Sequence, residues 1–122
     1  MKDIGIYKVV AARRVRLPRE AREHLGVPLA GKGLKVAVSM TDKVIMVAPA
    51  GVSLTGTISF GDRALYENAD TVWLSIPAAA RTHFRLTIGS SVQIHTLKMA
   101  EWGVNVPVLH IKPVDTEPKN ER

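Results

Sequence analysis

The chain has no cysteine, which rules out disulfides and thiolate metal clusters. Aromatic residues make up 5% of its 122 positions, so a core has to be built from the valines, isoleucines, leucines and alanines that dominate the 46% hydrophobic fraction. These are scattered in short runs, and none approaches the ~20 consecutive apolar residues of a membrane-spanning helix. The first residues carry Lys2 and Asp3 and lack an apolar segment ending in a cleavage site, so no signal peptide is expected and the location expected is cytoplasmic. Missing too are G-x-S-x-G, a P-loop, H-E-x-x-H and any inward-facing pair of acidic residues at recognisable spacing, so neither an enzyme nor a bound cofactor or metal is expected, and nothing points to a small-molecule substrate. Acidic residues are scarce in one half only. Residues 1–49 hold ten Lys or Arg against four Asp or Glu, whereas residues 50–122 hold seven of each, so the whole net charge of +6 belongs to the first half. A surplus placed in this way favours a polyanionic partner.

What the sequence does contain is a degenerate repeat. RRVRLPREAREHLGV, residues 13–27, returns as TVWLSIPAAARTHFRL, residues 71–86. A shift of 59 positions lays Pro18 on Pro77, Ala21 on Ala80, Arg22 on Arg81 and His24 on His83, and lays Val15, Leu17, Leu25 and Val27 on Leu74, Ile76, Phe84 and Leu86. At this length there is room for one core, so the two copies, residues 1–49 and 50–113, are expected to share it, with a flexible tail over 114–122.

Each copy reads as strand, corner, strand, proline-started helix and hairpin. In the first, residues 4–10 and 15–17 are β-rich, and Pro18 opens a helix because its missing N–H would have no partner there anyway. Leu17, Ala21 and Leu25 line one face of that helix, and Gly26 is placed to end it. After a Pro and Gly-punctuated loop over 27–33, residues 34–40 and 44–48 alternate about Thr41-Asp42-Lys43 as a hairpin. In the second, residues 52–60 are expected to form the opening strand with a bulge at Gly56, Gly61-Asp62 a turn, and residues 63–69 one or two helical turns. Residues 72–76, a helix over 77–85, and a hairpin of 92–97 and 104–111 with a longer tip over 98–103 complete it.

Five arginines fall within ten residues: Arg13, Arg14, Arg16, Arg19 and Arg22. Arginine binds phosphate and also grips guanine edges bidentately, so this cluster reads as a DNA-contact surface. Arg22 has two readings, because its counterpart Arg81 persists where the other basic residues have gone: contact with DNA, or a bond between helix and sheet. The paired positions of His24 and His83 suggest a shared packing or capping role. Folding the last hairpin about Trp102 brings His95 opposite His110, but a metal site there lacks a third ligand. Trp102 suits either a protein contact or a return onto the sheet.

Arg14-Val15-x-Leu17-Pro18, then Arg22 and Leu25-Gly26, then a hairpin ending Val44-Ile45-Met46-Val47-Ala48-Pro49, resembles the AbrB/SpoVT swapped-hairpin family of DNA-binding regulators. The second copy, with Leu74, Ile76, Pro77, Arg81, Phe84 and Gly89, is similar to it in more divergent form, and two copies in one chain resemble the MraZ subgroup. Arg13 stands where the family usually has glycine. The resemblance implies a mostly β fold: a pseudo-twofold swapped-hairpin, AbrB-like β-barrel with two short helices. It implies a transcriptional regulator that presents Arg13, Arg14, Arg16, Arg19 and Arg22 to duplex DNA and acts as a homodimer or larger even assembly. Two other readings stay open: a protein-interaction module working through the neutral second copy, and an antitoxin-type DNA binder.

Overall fold

The computed structural model describes residues 2–26, 34–68 and 71–114. The loop expected over 27–33 and the charged tail beyond Val114 lie outside the described residues. In chain order the elements are β1 (Lys2–Lys8), a 3-10 turn (Ala11–Arg13), β2 (Arg14–Arg16), α1 (Arg19–Leu25), β3 (Lys35–Met40), β4 (Ile45–Pro49), β5 (Ile58–Ala64), β6 (Tyr66–Asn68), β7 (Thr71–Ser75), α2 (Ala78–Phe84), β8 (Ser91–Glu101) and β9 (Val104–Pro113). The fold is mostly β, as expected, with two short helices and antiparallel pairing throughout.

The strands form a six-stranded sheet in the order β1-β8-β9-β4-β3-β5 and a three-stranded sheet in the order β2-β7-β6. They do not close into the barrel expected from the family resemblance: β1 and β5 are the two edges of the larger sheet, and the smaller sheet is separate. One boundary between the two sheets falls at the corner after β1. Between β1 and β2 the chain passes through Ala12 and Arg13 with φ of 61° and 55°, and only an isolated bridge, Val10 to Arg14, links the two stretches.

The pairing exchanges elements between the two halves. β1 of the first half lies on β8 of the second, and β5 of the second lies on β3 of the first. Two further pairings are centred on equivalent positions. β2 meets β7 with Val15 opposite Leu74, so that Arg14–Ser75 and Arg16–Trp73 are images of one another under the 59-residue shift. β4 meets β9 with Met46 opposite His110, flanked by Ile45–Ile111 and Val47–Leu109. Backbone bonds repeat the relation: Leu17 N–H donates to the Val72 carbonyl at 2.9 Å and Ile76 N–H to the Arg13 carbonyl at 3.0 Å.

One apolar cluster draws on both halves, with Val9, Val15, Leu17, Val36, Val38 and Ile45 packed among Leu74, Ile76, Val92, Ile94, Leu109 and Ile111. The opposite face of the larger sheet carries a smaller cluster, Ala37, Val44, Met46, Ala48, Leu54 and Val108. The strands β3 and β4 are buried nearly throughout because both their faces are covered.

Five expectations for the second half are corrected. Residues 52–57 are not strand; β5 begins only at Ile58 and runs on through Gly61-Asp62, which is therefore not a turn. The bulge falls at Phe60-Gly61 rather than Gly56: β3 advances two residues from Ala37 to Ser39 while β5 advances three, and Gly61 takes up the left-handed φ of 74°. The described part of the stretch read as helical turns, residues 63–68, is instead the end of β5 followed by β6. The expected tip over 98–103 is mostly continuous strand, with the turn confined to Trp102-Gly103.

Candidate nucleic-acid interface

Alternation in β2 sets the direction of the first arginines. Val15 is fully buried, so Arg14 and Arg16 leave the strand on the other face. On that face the register places Arg16, Trp73 and Tyr66 in one row across β2, β7 and β6, with Arg14 opposite Ser75 in the next. Arg16 is exposed. Arg14 is half-buried, and its guanidinium carbon lies 3.9 Å from the centroid of the Tyr66 ring, a cation–π contact that holds the side chain across the sheet.

Arg13, half-buried, ends the 3-10 turn with φ of 55°. A Cβ-bearing residue in this region carries a cost of ~1–2 kcal/mol, and the family's glycine at the equivalent place would carry none. Arg19, exposed at the start of α1, donates from Nε to the Glu23 carboxylate at 3.0 Å, one turn along the helix. Lys2 and Glu20 form a second surface ion pair.

Arg22 departs from the group. It is 4% exposed, and its Nε donates to the Leu17 carbonyl at 3.2 Å, tying α1 to the end of β2. A guanidinium in that position is not available to a phosphate, so of the two readings the bond between helix and sheet is the one found. Arg81 occupies the matching place on α2, half-buried, with its Nε sheltered and unpartnered among the described residues.

The histidines of the two helices have matching work. His24 Nε2 lies 2.8 Å from the Leu97 carbonyl of β8, and His83 Nε2 lies 2.9 Å from the Asp42 carbonyl in the turn between β3 and β4. Each helix thus reaches the hairpin of the other half. His95 and His110 are direct cross-strand partners, and among the described residues no group of three His, Cys, Asp or Glu is placed to hold a metal ion. Trp102 is 90% exposed, standing out at the hairpin turn rather than folding back.

Sequence reasoning missed Tyr66 and Trp73 as members of the arginine face. The 59-residue shift already laid Trp73 on Arg14, an outward position, but only the antiparallel crossing of β2 and β7 puts the two copies side by side on one sheet. Among protein-family models, curated proteins and solved structures, no match to this chain is found.

Proposed function

We propose that the protein binds duplex DNA as a transcriptional regulator, through the outer face of the sheet β2-β7-β6 and the adjoining corner. The observation that carries this reading is the projection of Arg14 and Arg16 from one sheet face, flanked by Arg13 and Arg19, in the half of the chain that holds all of its excess positive charge. Arg13, Arg16 and Arg19 meet phosphates, and Arg14, steadied on Tyr66, is the residue best held to address a base edge. Arg22 belongs to the scaffold. The exchange of β1 and β5 between the halves supports a swapped-hairpin arrangement of two repeats around one core. One chain offers one basic corner, and a handful of phosphate contacts gives only weak binding at physiological salt, so the DNA-binding unit is a pair of chains on a two-part site.

Retention on duplex DNA as a function of salt tests the proposal. Arg16→Ala, which removes an exposed side chain, lowers the log–log salt slope by about 0.9 for each phosphate no longer neutralised, twice that across a pair of chains, and leaves the fold intact. Footprints are symmetric about a centre. Equal affinity in the wild type and an Arg13/Arg14/Arg16 triple alanine variant that still folds would move the function to another surface.

A further inference from the structure

A cavity of about 310 Å³ opens on the larger sheet, lined by Thr41, Lys43, Val44, His95, His110 and Lys112. None of these residues belongs to the arginine face. We propose that this cavity binds a small organic anion, a phosphate, sulfonate or carboxylate group carried on a short apolar body. The volume stands at the lower end of the range for small-molecule pockets.

Two strands and a turn assemble the chemistry. His95 of β8 and His110 of β9 are paired across the hairpin, and Val44 and Lys112 flank the row that runs from Met46 through His110 and His95 to Asp3. Lys43 approaches from the turn between β3 and β4, whose Asp42 carbonyl is held by His83. Within that turn Thr41 Oγ1 accepts the backbone N–H groups of Lys43 and Val44, both at 3.2 Å, which leaves its own hydroxyl proton to donate elsewhere. His110 Nε2 is sheltered from solvent and has no hydrogen-bond partner among the described residues, a state that costs free energy until a partner arrives.

The charges decide the sign of the ligand. Two lysines and two imidazoles line the cavity and no carboxylate does; Asp3 sits beyond His95 at 3.9 Å from its Nε2, and Asp42 lies between Thr41 and Lys43 in the turn. A cation would be repelled, and an anion would answer both lysines, the Thr41 hydroxyl and an imidazolium. Burial first, then the positive neighbours His95 and Lys112, hold the His110 pKa below its ordinary value, which favours the neutral ring. An anion reverses the Coulombic part of that penalty, so binding draws a proton onto His110 and strengthens as the pH falls. Val44 and the aliphatic stems of the two lysines supply the apolar wall.

The test uses the full chain and probes whose charge is fixed between pH 8 and 6: inorganic sulfate and benzenesulfonate, at constant ionic strength. Histidine side-chain NMR signals are followed during titration. The expected result is a saturable shift of the His95 and His110 signals, tighter for benzenesulfonate than for sulfate and tighter at pH 6 than at pH 8. Lys112→Gln, an exposed substitution, weakens it roughly tenfold, and His110→Gln lessens the pH dependence. Shifts that do not saturate through the millimolar range, or that are unchanged in Lys112→Gln, overturn the proposal. So does displacement of benzenesulfonate by duplex DNA with the same signals moving, which would make the cavity part of a DNA contact. Because the arginine face is untouched by these variants, DNA retention is measured alongside, and either reading can fail without the other.

Discussion

Arg13 combines a conformation that favours glycine with a charge that favours DNA. At φ of 55° its Cβ is crowded against the backbone, and its carbonyl is committed to the Ile76 N–H of the other half, so the chain cannot relax by swinging the residue away. Replacing it with glycine removes a strain of ~1–2 kcal/mol, offset by ~0.4–1 kcal/mol of added freedom in the unfolded chain. Arg13→Gly is therefore expected to stabilise the protein by up to about 1.6 kcal/mol while lowering the DNA salt slope by about 0.9 per chain. Denaturant midpoints and salt-dependent retention read the two effects, and their opposite signs are the signature. A variant that loses stability, or binds DNA as the wild type does, would show that the arginine is kept for its fold and not for a ligand.

At the scale of elements, the two helices act as latches. His24 joins α1 to β8, and His83 joins α2 to the turn before β4, each by one bond to a carbonyl. The first is half-buried and the second exposed, so His24→Ala is expected to cost about 1 kcal/mol in urea denaturation and His83→Ala clearly less, since water replaces the missing donor there. The reverse ranking would count against the latch. These helices, β2, β7 and both hairpins were legible in the sequence because Pro18, Pro77 and Gly26 mark helix ends and because large apolar residues alternate with small or polar ones along the strands, although β3 and β4 turn out buried on both faces rather than one. β5 was not, since it is exposed along nearly its whole length and has no buried face to impose a pattern, and its bulge glycine imitates a turn. The site divides in the same way. Arg14 and Arg16 could be read from their spacing about Val15, and the burial of Arg22 was signalled only by the survival of Arg81. Trp73 joins them through the long-range pairing of β2 with β7, which no local pattern records, and Tyr66 through β6 on the far side of β7.

For the whole molecule, the exchange of strands makes each half incomplete. A chain ending at Pro49 keeps the β3–β4 hairpin and α1 but loses β8 from beside β1, β7 from beside β2, β9 from beside β4 and β5 from beside β3. It also loses Leu74, Ile76, Ala80, Leu86, Val92, Ile94, Leu109 and Ile111 from the main cluster, leaving Val15, Leu17, Val36, Val38, Ile45 and Val47 facing water. Re-exposing large apolar side chains costs ~1.5–3 kcal/mol each, so a few of them exceed the ~5–15 kcal/mol by which a domain of this kind is stable. The fragment has one escape. Since the pairings are centred on Val15–Leu74 and Met46–His110, a second copy of residues 1–49 can stand in for the missing half, with Val15 on Val15 and Met46 on Met46 of two identical chains. The fragment is therefore expected to be unfolded when dilute and to gain β structure only as it dimerises, with circular dichroism and sedimentation equilibrium changing together over the same concentration range. A folded monomer of residues 1–49 would mean that each repeat closes its own core and that the pseudo-twofold pairing is dispensable.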